Sequence, residues 1–369
     1  MDYMAQALSL AKLALGSVSP NPAVGAVIVK NDAVVGQGYT QPAGSEHAEI
    51  VALKQAGDQA RGGAMYVTLE PCCHYGRTPP CSQAIIAAGI AEVHLAMLDP
   101  NPLICGRGRE ELGREGIKTY VGKQEEEARE INEAYIKFIT TGIPFITAKF
   151  AISLDGKIAT RSGDSKWISC EESREKVHSL RHITDAIMVG VNTVLADDPL
   201  LTCRCCGGRG GTARKQPLRV VVDSKGHTPL TAQLFHEPGT TLLALGKSIT
   251  PEKASAFVQV GAELLELPLT EGLVDLEELL RAMGKREITS VLAEGGGMLL
   301  GSLFDGGLVD KVVAFVAPII IGGNEAKTAV GGKGIDKVID SLRLERITVE
   351  RLGEDVMVSG YVNHKARGS

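Results

Sequence analysis

The sequence predicts two α/β domains in tandem, and three observations carry that expectation. Short apolar runs of strand length alternate with amphipathic helical stretches along the chain, the pattern of a largely parallel sheet with helical layers. At 369 residues and 44% hydrophobic content the chain can fill more than one core, since domains cluster near roughly 100–200 residues. The alternation resets once, where Gly142 and Pro144 end a helix and Phe145 opens a strand. The expected domains are therefore residues 1–143 and 144–369.

In the first domain Met4, Leu8, Ala11 and Leu15 recur at helical spacing, and Gly16 is a plausible stop. Val24 to Val29 reads as a buried strand, Asn31-Asp32 as a turn, and Ala33 to Val35 as its paired strand. A helix from near Ser45 to near Gly57 precedes a strand from Ala64 to Leu69. Ser82 to Ala88 fits a helix closed by Gly89. Glu92 to Leu98 is a strand running into Asp99-Pro100-Asn101-Pro102, a loop because two prolines break a ladder or a helix. Ile117 to Val121 is the last strand. One helical face then runs through Ala128, Ile131, Tyr135, Phe138 and Ile139, behind the acidic run Glu125-Glu126-Glu127, which suits a helix N-terminus.

In the second domain Phe145–Ala151, Ala186–Val191, Leu218–Asp223, Thr241–Leu245, Ile288–Ala293 and Val312–Ile321 read as strands. Helical stretches fall at Ser173–Arg181, Pro251–Val260, Leu276–Met283 and Met298–Phe304. Arg204 to Arg214, rich in glycine, reads as a flexible loop. No repeat relates the two halves.

Composition excludes some classes. A net charge of -5 provides no basic field to displace counterions from nucleic-acid phosphates. No apolar run approaches the ~18–20 residues that span a bilayer, and Met1-Asp2-Tyr3-Met4 lacks the opening of a signal peptide. A cytoplasmic protein with no membrane or nucleic-acid partner is expected.

The eight cysteines are clustered, which without a secretion signal suggests metal before disulfides. His47-Ala48-Glu49 opens a predicted helix, Pro71-Cys72 follows a predicted strand, and Cys81 comes nine positions later. One imidazole and two thiolates leave a fourth zinc position open for water, the arrangement of catalytic rather than structural sites. Zinc-bound water has a pKa near ~7. The pattern of His-x-Glu, then Pro-Cys and a second Cys, points to zinc deaminase chemistry with Glu49 as the proton carrier. The usual spacing between the two cysteines is shorter, so Cys73 competes with Cys72. Cys72 is favoured because it directly follows proline. Cys203, Cys205 and Cys206 form a second group, read as a surface thiol cluster rather than a metal site because no histidine is near in sequence.

Flanking residues carry a resemblance. Ser19-Pro20-Asn21-Pro22, Val24 to Val27, His47-Ala48-Glu49, Leu69 to Cys81 and Asp99 to Pro102 closely resemble the bifunctional riboflavin biosynthesis (RibD) family, which uses this longer cysteine spacing. Ser153 to Lys157, Gly163 to Ile168, Ala196 to Thr202 and Glu294 to Gly297 resemble that family's reductase domain. The resemblance implies a cytidine-deaminase-like α/β/α domain followed by a dihydrofolate-reductase-like α/β domain. It implies a zinc-dependent pyrimidine deaminase in residues 1–143 and an NADPH-dependent reductase in residues 144–369.

The implied substrates are phosphoribosyl pyrimidines. Asn21, His74, Arg77, Thr78, Asp99 and Asn101 would line the deaminase pocket, with Arg77 suited to phosphate. Ala151, Trp167, Thr193, Asp197, Ser224 and the Gly295-Gly296-Gly297 turn would hold NADPH. Ser165, Arg181, Leu201, Arg204 and Glu294 would meet the reductase substrate, Arg181 and Arg204 serving a second phosphate site. Lys149, Asp155 and Glu294 are the candidate acids. A homo-oligomer, dimer or tetramer, is also implied.

Overall fold

The computed structural model describes residues 1–75, 79–204, 216–247 and 249–364. The chain forms two compact units, Met1–Ile143 and Pro144–Ser369.

The first unit runs α1 (Tyr3–Ala14), β1 (Gly25–Lys30), β2 (Ala33–Tyr39), α2 (Ala48–Ala56), β3 (Ala64–Val67), α3 (Cys81–Ala88), β4 (Glu92–Leu95), α4 (Arg107–Arg114), β5 (Lys118–Val121), α5 (Glu125–Ile131) and α6 (Glu133–Thr141). Its five strands are ordered β2-β1-β3-β4-β5. The sheet is mixed: β1 is antiparallel to both β2 and β3, while β3, β4 and β5 are parallel. The core is aliphatic, built on Val27, Ile28, Met65, Val67, Val93 and Leu95 from the strands and on Met4, Ala52, Ile85 and Leu112 from the helices.

Two expectations change here. The strand begun at Ala33 continues to Tyr39, through Gly36 and Gly38. A Cβ at Gly36 would lie 2.3 Å from the Ala52 carbonyl oxygen, and one at Gly38 2.6 Å from that of Ala48. These glycines let α2 lie directly on the strand, so they serve packing rather than chain termination. The single helix expected behind Glu125 is two helices that meet at Asn132. Asn132 is buried; its Oδ1 accepts the Ala23 N–H at 2.8 Å, and its Nδ2 donates to the carbonyls of Ala23 at 3.0 Å and Ala128 at 3.2 Å. That amide fixes the segment leading into β1.

The second unit runs β6 (Phe145–Ser153), α7 (Glu171–Ile183), β7 (Ala186–Gly190), α8 (Val191–Asp197), β8 (Leu218–Asp223), β9 (Thr241–Gly246), α9 (Pro251–Gln259), β10 (Ala262–Leu267), β11 (Leu269–Thr270), β12 (Leu273–Val274), α10 (Leu276–Lys285), β13 (Ser290–Ala293), α11 (Gly297–Asp305), β14 (Lys311–Ala317), β15 (Leu344–Leu352) and β16 (Asp355–Val362). Its main sheet is ordered β10-β9-β8-β7-β13-β6-β14-β16-β15. The seven strands from β10 to β14 pair in parallel, and β16 and β15 extend the sheet antiparallel. The central strands read as unbroken apolar runs because they are covered on both faces: Ile187, Met188 and Val189 on β7, and Leu242 to Leu245 on β9, are nearly inaccessible.

The final hairpin escapes the apolar pattern because β15 is exposed along most of its length and carries charge between its β-branched residues. The strand expected at 312–321 stops at Ala317. Beyond it the chain turns to bond Leu154, whose N–H donates to the Ile319 carbonyl at 2.8 Å.

Replacing Asn132 with leucine would strand the buried Ala23 N–H and C=O without partners. The expected loss is about 2–4 kcal/mol in the first unit, read as a lowered first thermal transition by calorimetry. An unchanged transition would show that the amide does not hold this segment.

Candidate active sites

In the first unit, the zinc motif is assembled by two helix N-termini and one loop. His47 is the N-cap residue of α2, yet its side chain makes no capping hydrogen bond, which leaves the imidazole available. Cys81 is the first residue of α3. Cys72 lies on the segment after β3, and the first amides of α3 point at it: the Cys81 N–H donates to Cys72 Sγ at 3.3 Å and the Ser82 N–H to the Cys72 carbonyl at 3.1 Å.

His47 Nδ1 lies 3.2 Å from Cys81 Sγ and 3.6 Å from Cys72 Sγ. The three ligand atoms all fall within 4.8 Å of one another, the one such group of three or more His, Cys, Asp or Glu among the described residues. One imidazole and two sulfurs suit zinc and not a hard cation such as magnesium or calcium. Their electrostatics agree. Cys72 is held as a thiolate, chiefly by the hydrogen bond from Cys81 and further by His47. Cys81 is pushed far up by that same thiolate and by burial. One anionic sulfur is thus already formed at the helix terminus.

Glu49 sits in the first turn of α2 and is 4% exposed. Burial pushes its carboxyl up to about 7, aided by the Cys72 thiolate. A carboxyl that changes protonation near neutral pH can both take and return a proton.

The remaining residues expected in this pocket are placed unevenly. Asp99 is buried, and its carboxylate accepts the Tyr135 hydroxyl at 3.0 and 3.2 Å and the Asn101 N–H at 2.9 Å. Burial raises its carboxyl to about 6. Asn101 Oδ1 accepts the Leu103 N–H at 3.0 Å, a turn bond. Asn21 is half-buried in the turn after Val18, and His74 is exposed. Arg77 and Thr78 lie outside the described residues.

Glu70 is the residue this reading overlooked. It is 3% exposed, and its two oxygens accept three backbone amides: Asp99 at 3.1 Å, Gly106 at 2.9 Å and Arg109 at 3.0 Å. One carboxylate two residues from Cys72 therefore clasps both ends of the 99–109 loop. The signal was present, since a carboxylate between Leu69 and Pro71 in an apolar strand end needs partners when buried. Its partners come from across the fold, and sequence spacing does not name them.

In the second unit the carboxyl ends of the parallel strands open on two hollows that share walls at Ser165, Thr193, Asp197, Gly296 and Gly297. The smaller, of about 500 Å³, holds Lys149, Ala151, Trp167, Arg181, Leu201, Arg204, Glu294 and Gly295. The larger, of about 810 Å³, extends over the ends of β7 and β8 to Ser224, His227 and Leu273. Every residue that the resemblance implied for cofactor or substrate binding in the reductase half lines one or the other. Ser224 Oγ accepts the Val274 N–H at 2.9 Å, tying β8 to β12.

Charge in the smaller hollow is organised around Glu294. Arg181 grips it with Nε at 2.5 Å and Nη2 at 2.9 Å, and Lys149 Nζ lies 3.8 Å away. Burial would raise the Glu294 carboxyl, but Arg181 outweighs it and holds it below its usual range. Burial lowers Lys149, partly offset by Glu294. Arg181 Nη1 also donates to the Thr202 carbonyl at 2.9 Å. Arg181, expected on a phosphate, thus also has its fork engaged with Glu294. Arg204 is exposed at the rim.

Asp155 lines neither hollow. It accepts the Ser153 hydroxyl at 2.6 Å and the amides of Ile321 at 3.0 Å and Gly322 at 2.7 Å, which hold its carboxyl down at about 2. It ties a turn and is not a proton donor. Cys203 is buried, its Sγ 3.5 Å from the His178 carbonyl, so it does not belong to a surface thiol cluster. Cys205 and Cys206, with the rest of residues 205–215, lie outside the described residues.

A deaminase-type zinc centre in one unit and a two-chambered α/β reductase site in the other define a bifunctional enzyme. Comparison with known proteins agrees. Residues 1–97 match the cytidine and deoxycytidylate deaminase zinc-binding region, and residues 144–358 match the RibD C-terminal domain. The riboflavin biosynthesis protein RibD of Aquifex aeolicus is 44% identical over 97% of each chain. That of Escherichia coli is 40% identical over 96% of this chain and 97% of its own. Among solved structures, Acinetobacter baumannii RibD superposes with a TM-score of 0.88 at 37% identity, covering 98% of each chain. A Thermotoga maritima deaminase/reductase gives 0.84 at 35% identity and 98% of each chain. The chain belongs to the RibD family of riboflavin biosynthesis, whose members join a deaminase to a reductase.

Glu70→Gln replaces one acceptor oxygen by a donor facing a backbone amide. Deaminase KM is expected to rise about 5–20-fold, the scale of one to two lost hydrogen bonds, with zinc content unchanged. Steady-state ammonia release with metal analysis on the same sample checks this. A variant kinetically identical to the parent would show that the clasp is dispensable.

Proposed function

We propose that the first unit hydrolytically deaminates 2,5-diamino-6-(5-phosphoribosylamino)pyrimidin-4-one. The second unit then reduces 5-amino-6-(5-phosphoribosylamino)uracil with NADPH to the ribitylamino product. The observation that carries the first step is a buried Glu49 beside the convergent His47, Cys72 and Cys81. A structural zinc site has no use for that carboxylate.

His47, Cys72 and Cys81 hold the zinc. When bound, the ion supplies a water acidified toward neutral pH. Glu49 takes the proton from the attacking water, passes it to the ring and assists the departure of ammonia. Asp99, oriented by Tyr135, together with Asn101, Asn21 and His74, contacts the pyrimidine and its sugar. Arg77 and Thr78 belong to the same pocket, Arg77 suited to the phosphate.

In the second unit the larger hollow takes NADPH, which supplies the hydride. The Gly295 to Gly297 turn, at the N-terminus of α11, admits the cofactor phosphates close to backbone amides. Thr193, Asp197 and Ser224 flank the cofactor from the larger hollow, and Ala151 and Trp167 reach it from the smaller. Ser165, Arg181, Leu201, Arg204 and Glu294 face the substrate, with Arg181 also orienting Glu294. Lys149, half-buried beside the ionised Glu294 in the smaller hollow, is the proton-carrying group at hand. The working form proposed is a cytoplasmic homo-oligomer, a dimer or tetramer.

Among the described residues no helix is long and apolar enough to cross a membrane. Glu49→Gln should retain zinc and lose ammonia release by about 10²–10⁴-fold, the usual contribution of a positioned acid–base group; normal turnover by that variant would sink the deaminase mechanism. Chelation of zinc should abolish ammonia release yet leave NADPH oxidation, followed at ~340 nm with supplied aminouracil substrate, intact. Loss of both activities together would contradict the division of labour.

A further inference from the structure

Helix α7 presents Arg174, His178 and Arg181 at i, i+4 and i+7, and all three line the smaller hollow of the second unit. Arg181 is spent on Glu294 and on the Thr202 carbonyl. Arg174 donates to the Ser169 carbonyl at 2.6 Å and stacks on the Trp167 ring at 4.8 Å. His178 is different. The Arg204 backbone N–H donates to its Nδ1 at 3.2 Å. A backbone N–H can only donate, so Nδ1 carries no proton and the neutral ring must carry its proton on Nε2.

We propose that His178 is a substrate-binding residue of the reductase site, its Nε2–H donating a hydrogen bond to an oxygen of the phosphoribosyl group. The inference rests on the reductase reading above and adds a contact to it. Three observations converge. The ring lines the hollow that holds Lys149, Glu294 and Leu201. Its other nitrogen is committed to the backbone, which fixes both tautomer and ring plane, as a donor aimed at a ligand requires. Burial, then the guanidinium groups of Arg181 and Arg204, lower its proton affinity, outweighing Glu294 and the Thr202 carbonyl, which favours the neutral ring. A neutral donor suits this place: a cationic ring would compete with Arg181 and Lys149 for Glu294.

The test uses the full chain, NADPH and 5-amino-6-(5-phosphoribosylamino)uracil. His178→Gln keeps an acceptor for the Arg204 amide and a donor for the ligand, whereas His178→Ala keeps neither. The alanine variant should show KM for the uracil raised about 10–30-fold with kcat lowered less, the scale of one lost hydrogen bond to a polar ligand. The glutamine variant should stay within about threefold of the parent. An unchanged KM in His178→Ala, or equal impairment of both variants, overturns the proposal. A second measurement does not depend on the alanine variant folding. In histidine-labelled parent protein, the resonance missing from His178→Gln should report an unprotonated Nδ1 and a protonated Nε2. Its Nε2 signal should move when the uracil is added without NADPH, and an unmoved signal overturns the contact. Failure of the parent itself to oxidise NADPH would instead sink the reductase reading.

Discussion

Carboxylates that accept backbone N–H groups from distant segments hold each unit together, at the strand ends that carry the chemistry and at the opposite ends. In parallel sheets the sites form in the loops beyond the strand ends, and those loops carry amides that no ladder satisfies. An ionised carboxylate is the strongest compact acceptor available for them. Glu70 gathers amides from Asp99, Gly106 and Arg109. Asp155 gathers those of Ile321 and Gly322 and Asp355 takes that of Cys170, while at the amino ends of the strands, away from the site, Asp185 takes that of Thr289 and Asp310 that of Ile146. Each bond joins segments far apart in sequence, so each is a tertiary constraint rather than a local turn.

The two sites use the same tools for different ends. In the first unit the hydrogen bond from the Cys81 thiol, joined by His47 and by the Cys81 amide at a helix N-terminus, favours the Cys72 thiolate. Burial does the opposite to Glu49, which is left able to carry a proton. In the second unit burial alone would neutralise Glu294, and Arg181 prevents it. The hollow therefore keeps a fixed negative charge flanked by two cations. A hydride-transfer site needs a shaped and polarised chamber more than it needs a nucleophile, and the charges here shape one.

Legibility followed the range of the interaction. The central strands of the second unit were readable because burial on both faces leaves unbroken runs such as Ala186 to Val189. Strand β15 was not, because its exposed face carries Glu345, Arg346, Glu350 and Arg351 and blurs the apolar pattern. The break between α5 and α6 was invisible, because Asn132 ends one helix and begins the next for the sake of Ala23, 109 positions away. The strand read from Ala33 stopped at Val35, because only the seated helix α2 shows why Gly36 and Gly38 continue it with no side chain.

The sequence by itself determined the kind of chemistry: ligand types and a carboxyl at fixed spacing in His47-Ala48-Glu49, Cys72 and Cys81, and a glycine turn after Glu294. Spacing conveys these because each lies within one element or its adjoining turn, where local geometry places side chains. The tertiary structure alone decided how those groups behave. It paired Arg181 with Glu294, placed Asp155 in a turn, buried Cys203 and gave Glu70 and His178 their tasks. Charge state, tautomer and access depend on neighbours that the fold supplies from elsewhere in the chain, and these no local pattern records.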